Sequence, residues 1–417
     1  MREVKSSGLK WLGDIPANWS LARIGGLYTL RNEKVSDKEF PPLSVTNKGI
    51  LPQLETAAKT NDGDNRKLVR IGDFAINSRS DRRGSCGISP YDGSVSLINI
   101  VLTPRIEMEP QYFEWLFHSV QFGDENYRWG HGIVDDLWTT GWQEMKKITI
   151  PMPPITEQRL IAKFLNYKCS EIDALSADIQ AQIDTLEQYK KSIIFQMVSS
   201  GLCNDNLVAT DSDVWKAMPA TWRLVDIKYL FEIVKRIAGI EGYDVLSVTQ
   251  KGLKVKDVIS NDGQQADNYS GYQFVYPTDY VMNHMDLLTG WVDCSPMFGV
   301  TSPDYRVFRL RNKKENSLTY FKYVMQCCYL NRIFYSLGQG VSNLGRWRLQ
   351  TSVFNEFKVP VPPYEEQVAI AEYLDKKITE TDAIIAAKQS QLAILDEYKK
   401  SLIFEYVTGK KEVPTNA

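Results

Sequence analysis

The octapeptide LSVTNKGI, residues 43–50, returns as LSVTQKGL at residues 246–253, an offset of 203 positions. It is one of a series. IPANW (15–19) is answered by MPATW (218–222), also at 203. YFEWLFHS from Tyr112 is answered by YFKYVMQC from Tyr320, and Gly130-His131-Gly132 by Gly338-Gln339-Gly340, both at 208. PMPPITEQRLIAKFL (151–165) is answered by PVPPYEEQVAIAEYL (360–374), and EQYKKSIIF from Glu187 by DEYKKSLIF from Asp396, both at 209. The drift from 203 to 209 is what a few inserted loop residues produce. Self-similarity of this kind outranks every local signal, and it reads the chain as two copies of a unit of about 205 residues, each a globular part followed by a helical part.

In the globular parts, short β-rich runs such as SVSLINIVL (94–102) and YRVFRLR (305–311) alternate with Gly, Asn and Asp turn signals. These predict an α+β domain with a twisted sheet. Each ends at a proline-rich junction, Pro151 to Pro154 and Pro360 to Pro363, which stops a strand; Glu157, or Glu365 and Glu366, then falls in a first helical turn. Gly201 and Gly409 are the matching helix stops. Within each helical part a second start signal, Ser170-x-x-Asp173 and Thr379-x-x-Asp382, predicts a short helix, a break, and then a helix of about 30 residues, roughly 45 Å long.

The long helices carry apolar stripes. Ile172, Ile179, Leu186 and Ile193 recur every seven residues with Leu175, Ile183 and Met197 beside them; Ile385, Leu392, Leu395 and Leu402 serve the second helix. Connectivity favours mutual burial over packing of each helix on its own domain. The second helix covers both stripes by running back along the first, as an antiparallel coiled coil with an approximate two-fold relation between repeats. The predicted architecture is α+β: two tandem globular domains (1–154 and 215–363), helices over 155–201 and 364–409, a linker over 202–214 and a tail over 410–417.

Composition excludes several classes. With 417 residues, 43% of them hydrophobic, the chain can build more than one core. The six cysteines (Cys86, Cys169, Cys203, Cys294, Cys327, Cys328) lack the spacing of a metal site, and they read as small core residues of a reduced, cytoplasmic protein. The start MREVKSSGLKWLGDIP has no apolar signal-peptide core, and no stretch reaches the eighteen apolar residues of a membrane span, so a soluble intracellular protein is expected. A net charge of −2 argues against indiscriminate coating of nucleic acid.

Two variable α+β domains, each followed by a PxPPxxEQxxIAxxL junction and a helix ending in YKKSxIF, closely resemble the DNA-specificity subunit of type I restriction–modification systems. The similarity extends over essentially the whole chain. It implies that each globular domain is a target recognition domain reading one half of a bipartite site in double-stranded DNA. It implies that the helices are a spacer around which methyltransferase subunits, two of them, dock, and that a translocating restriction endonuclease subunit joins the larger complex. No cofactor is expected in this chain; S-adenosylmethionine, ATP and Mg²⁺ belong to the partners. Half-sites one helical turn apart lie roughly 34–36 Å from one another, a distance a rigid rod can set.

For DNA contact, the basic loop Asn77-Ser78-Arg79-Ser80-Asp81-Arg82-Arg83-Gly84 follows the apolar run Phe74 to Ile76; arginine suits guanine and asparagine suits adenine. Asn283-His284-Met285-Asp286 aligns with it in the second repeat, at 206. Lys48 and Lys251 occupy the two framework turns. From Tyr305 to Gln350 there are nine Lys or Arg against one acid, Glu315, and Arg346-Trp347-Arg348 is the favoured groove or phosphate contact. In the matching stretch, Leu97 to Trp142, Arg105 and Arg128 face seven acids. The first domain is therefore expected to use other loops, including Lys48 and Arg66 to Arg83, or to rely on its partner for phosphate contacts.

Catalytic readings fare worse. Pro362-Pro363-Tyr364 superficially matches the adenine-methyltransferase motif NPPY, but Val361 stands where Asn or Asp is required and no glycine-rich cofactor loop precedes it. Glu144-x-Lys146 and Glu356-x-Lys358 resemble nuclease half-motifs but do not align with each other, and His118, His131 and His284 are scattered. A self-contained methyltransferase is thus disfavoured. A coiled-coil scaffold joining two protein-binding domains is the alternative; it predicts similar charge on both domains.

Overall fold

The computed structural model describes residues 2–53, 63–79, 83–132, 138–203, 206–257, 268–340 and 347–414. Two compact units emerge: Met1–Gln180 with Ser390–Ala417, and Ala181–Gln389. Each combines one globular part with a segment of both long helices.

The first unit is built on a four-stranded antiparallel sheet in the order Cys86–Ile88, Phe74–Asn77, Asn99–Pro104, Tyr28–Arg31. A smaller sheet joins Gly93–Val95, Arg66–Val69 and Lys34–Val35. The run 94–102 is therefore two strands rather than one: Asn99 N–H bonds the Ser96 carbonyl, and the resulting turn sends the halves to different sheets. The helix Pro110–His118 lies on the larger sheet, burying Tyr112, Phe113, Leu116 and Phe117 against Tyr28 and Phe74. The Phe74 and Phe117 rings are 4.2 Å apart between centroids.

The second unit repeats this plan. Its main sheet runs Val292–Cys294, Tyr280–Met282, Arg306–Leu310, Phe231–Val234, and the helix Leu318–Leu330 buries Tyr320, Phe321, Val324, Cys327 and Cys328 upon it. One partly buried ion pair recurs: Arg31 bonds Asp73 at 2.6 Å, and Arg236 bonds Asp279. All six cysteines are free; Cys86, Cys169, Cys327 and Cys328 are core residues as expected, whereas Cys203 is exposed and Cys294 half-buried.

Both long helices are continuous, Ile155–Ser200 (46 residues) and Tyr364–Val407 (44 residues), so the predicted break is absent. Neither span contains Gly or Pro to interrupt it. The acids of the supposed caps are used across the helix pair instead. In the first unit Lys399 Nζ donates to Asp173 at 2.6 and 2.8 Å; in the second, Lys190 donates to Asp382 and Lys388 to Gln182.

These pairings rise along one helix while falling along the other, so within each unit the segments are antiparallel. Ile161, Leu165 and Ile172 pack with Leu402, Ile403 and Tyr406 in the first unit, and Ile193, Ile194 and Met197 with Ile370 and Leu374 in the second. Of the predicted stripe, Ile172, Ile179, Ile183, Ile193, Ile385 and Leu402 are buried, and Leu186, Leu392 and Leu395 are half-buried. Leu175 is 49% exposed and lies off the stripe.

The twice-written junction has a bonding scheme to match. Trp19 Nε1 donates to Glu157 and Trp222 Nε1 to Glu366, each at 2.9 Å. Gln158 Nε2 donates to the Pro153 carbonyl while its Oε1 accepts from Glu109 N–H; Gln367 does the same with Pro362 and Ser317. Each glutamine thereby ties the start of a long helix to the start of the helix lying on the sheet. The helix stops behave as predicted: Gly201 (φ 73°) and Gly409 (φ 72°) adopt left-handed backbone, and an added Cβ would press on Trp222 or Trp19. Among the described residues, no helix is long and apolar enough to cross a membrane.

Candidate nucleic-acid interface

The opening octapeptides are β-hairpins, Leu43–Thr46 with Gly49–Pro52 and Leu246–Thr249 with Gly252–Val255. Their turns are alike: the Thr46 and Thr249 hydroxyls donate to the carbonyls of Gly49 and Gly252 and accept from the amides of Lys48 and Lys251. Gly49 and Gly252 sit at φ 96° and 97°, which costs a glycine little. Lys48 and Lys251 are exposed at the tips.

Beside the first hairpin lies an edge that joins distant segments. Asn77 Oδ1 accepts from Arg79 N–H, turning the chain at the strand end, and Arg79 bridges to Thr139, which also pairs with His131. Thr140 N–H closes the edge on the Ser78 carbonyl at 3.0 Å. Tyr127 and Trp138 stack at 5.4 Å, with Trp138 Nε1 donating to the Tyr127 carbonyl. The Arg83 guanidinium caps the stack 3.7 Å above Tyr127 and reaches Asp124 at 3.2 Å. A shallow cleft opens here, lined among others by Asn77, Arg79, Arg83, Asn126, Tyr127 and Trp138.

The second unit builds the same edge with other side chains. Asn283 Oδ1 accepts from Met285 N–H, Gln339 pairs with Arg348, and Leu349 N–H bonds the His284 carbonyl at 3.0 Å. Tyr335 and Trp347 stack at 5.5 Å with the same indole-to-carbonyl bond. The hairpin leans on this loop, Gln250 Nε2 donating to the Thr289 carbonyl. Arg348 is exposed. His284 is half-buried, and burial, followed by the charges of Arg306 and Arg348, pushes its pKa down to about 4, so the ring is neutral at neutral pH.

The structure thus gathers Asn77, Arg79 and Arg83 into one edge and Asn283, His284, Trp347 and Arg348 into another. Arg82 and Arg346 lie outside the described residues. The nine-cation run of the second unit is not one basic face. Arg306 is buried, Arg309 pairs with Glu232 at 3.0 Å and Lys322 with Asp375 at 3.6 Å. In the first unit Arg66 is buried on Ser94 and Arg70 pairs with Asp92, so neither extends the basic loop. Asn77 and Asn283 use their carbonyl oxygens to turn the chain, leaving the amide N–H₂ for other partners.

Sequence reasoning missed Tyr127, Trp138 and Tyr335, and counted Arg306 only as one of the nine cations. The signal was present for three of them: Tyr127 and Tyr335 recur at 208, and Trp138 and Trp347 at 209. Gly130 and Gly338 follow from the same stacks, because an added Cβ would lie 2.3 Å from Trp138 Nε1 or 2.4 Å from Trp347 Cδ1. Gly338→Ala is therefore expected to displace the indole at a cost of about 1–3 kcal/mol. Intrinsic tryptophan fluorescence and thermal unfolding check this; an unchanged melting temperature and spectrum count against the tight stack.

The supposed catalytic segments have structural roles. Tyr364 opens the second long helix and the Pro362 carbonyl accepts from Gln367, while Lys358 pairs with Asp211. Among the described residues no cluster of acids, His and Cys could hold a metal.

Each mixed domain thus ends in the same loop edge, with a turn-forming Asn, a Tyr–Trp stack and an exposed Arg. The family model for the type I restriction modification DNA specificity domain matches residues 257–393. The chain is 24% identical over 432 residues to the type I restriction enzyme MjaVIII specificity subunit of Methanocaldococcus jannaschii, covering 96% of this chain and 94% of that one. It is 21% identical over 434 residues to a chain named as the MjaX specificity subunit of the same organism, covering 97% and 96%.

In fold it is similar to a chain solved in work on complex assembly and conformational transition of the type I R-M system (TM-score 0.68, 15% identity, 95% and 99% covered). It is also similar to the HsdS subunit from Thermoanaerobacter tengcongensis (TM-score 0.51, 15% identity, 97% and 100% covered). Over nearly its whole length, then, the chain is similar in sequence and fold to chains named as specificity subunits of type I systems.

Proposed function

We propose that each unit reads one half of a bipartite, asymmetric site in double-stranded DNA, and that the paired helices set the half-site spacing and dock the methyltransferase subunits. The observation that carries this reading is one edge built twice with different side chains. Backbone pairing and the Tyr–Trp stack recur, while Ser78, Arg79, Arg83 and His131 of one edge are replaced by His284, Met285, Thr289 and Gln339 in the other. A shared frame with unlike side chains suits two half-sites of unlike sequence, since base edges are told apart by donor and acceptor placement.

Methyltransferase and restriction endonuclease subunits are the partners this assignment calls for, with S-adenosylmethionine, ATP and Mg²⁺ on those chains. The helices have a fixed rise of about 1.5 Å per residue, which suits a ruler. Deleting one heptad between Leu175 and Leu186 is expected to disturb spacing or assembly and leave half-site identity unchanged. Mapping methylated adenines in the host genome with and without the gene tests the whole reading. A bipartite motif that vanishes on deletion supports it, and an unchanged methylome sinks it.

A further inference from the structure

Arg306 is 4% exposed, and among the described residues no carboxylate pairs with it. One guanidinium nitrogen donates to the Leu349 carbonyl at 3.1 Å and to Thr351 Oγ1 at 3.2 Å, and the group lies 4.5 Å above the Phe354 ring. Burial pushes its pKa down to about 10, so it remains charged at neutral pH.

A buried cation without a counter-charge costs several kcal/mol, and a well-packed apolar residue at such a position is commonly neutral or stabilising. The sister unit supplies that comparison. Arg306 pairs with Met282 in the sheet register where Ile100 pairs with Ile76. The frame therefore accepts an aliphatic side chain here.

What Arg306 holds distinguishes the second edge. Leu349 N–H is bonded to the His284 carbonyl and Leu349 O to the guanidinium, so the segment carrying Trp347 and Arg348 is clamped on both sides. His284 Nδ1 is buried and has no hydrogen-bond partner, and the Arg306 charge opposes its protonation. A neutral imidazole keeps one nitrogen as an acceptor, which an imidazolium does not.

We propose that Arg306 is a positioning residue of the second DNA-reading edge: its buried guanidinium fixes the 347–351 segment and the neighbouring His284 loop for contact with one half-site. This rests on the DNA-reading assignment above. The test uses the full chain with its methyltransferase subunits and duplexes carrying the mapped site, or single-base changes in either half.

Arg306→Met, which keeps the stem over Phe354, is expected to unfold at or above the wild-type midpoint. It should lose about tenfold of the discrimination against second-half changes, on the scale of one base contact, and keep first-half discrimination intact. Wild-type discrimination in both halves, or an equal loss in both, overturns the proposal. Arg306→Lys keeps the charge but loses the fork; it should show the same one-sided loss, and it carries the test if the Met variant fails to fold.

Titration of His284 needs no DNA, and the chain has only three histidines to resolve. In Arg306→Met its pKa is expected to rise by about 1 unit. An unmoved His284 overturns the placement of Arg306 on this edge. Absence of any base preference in the wild-type complex would be a separate failure, of DNA reading itself.

Discussion

A chain whose residues 215–350 are replaced by those of another type I specificity subunit is expected to direct its methyltransferase partners to a motif changed in one half only. The reason is physical separation of the contacts that define each edge. The second edge draws on Asn283, His284, Gln339, Trp347, Arg348 and Arg306, all inside the exchanged segment, and its bonds close within the unit. The first edge closes just as locally, through Ser78, Arg79, Tyr127, Trp138 and Thr140. The helical segments that bury Ile193, Met197, Ile370 and Leu374 stay outside the exchange and share their core with exchanged residues such as Trp222 and Phe321, so the incoming segment must supply apolar residues there. Each wrong base typically costs about 1–3 kcal/mol, so a replaced edge abandons its old half-motif almost completely. Sequencing of methylated adenines reads the result, and a change in both halves would refute the modular assignment.

Gln367→Leu is expected to cost the second unit about 2–4 kcal/mol. Gln367 is 1% exposed and serves three backbone groups: the carbonyls of Pro362 and Glu315, at 2.9 and 3.3 Å, and the amide of Ser317, at 2.8 Å. Leucine fills the same space and leaves all three without a partner, at about 1–3 kcal/mol for each one that water cannot reach. Ser317 also caps the helix Leu318–Leu330 by accepting from Tyr320 N–H, so the damage spreads to the element that covers the sheet. Gln158→Leu should do the same to the first unit, through Pro153 and Glu109. Hydrogen exchange over 312–330 and over 107–118 localises each loss. Wild-type protection in both variants would show that these glutamines hold nothing.

Much of this was legible because duplication writes each structural device twice. Trp19 and Trp222, Gln158 and Gln367, and Gly201 and Gly409 stood out by recurrence before any bond was known, and each proved to be a buried contact of the frame. The heptad stripe was legible for the same reason that coiled coils are: apolar spacing shows directly along one helix. What misled was local. Ser170-x-x-Asp173 and Thr379-x-x-Asp382 have the spacing of a helix start, but a carboxylate has the same composition whether it caps an amide or meets a lysine on a neighbouring helix. The run of nine cations was equally local; their partners Glu232 and Asp375 come from strands and helices far along the chain.

By itself, then, the order of residues determined the duplication, the mixed frame, the two long helices and the faces they bury, because periodicity and recurrence are properties of one dimension. Only the tertiary structure decided which cations are spent on ion pairs, that Arg306 is a buried clamp and that Tyr127 and Trp138 stack beneath Arg83. Burial and pairing depend on which distant segments meet, and that meeting is set by the packing of the whole unit.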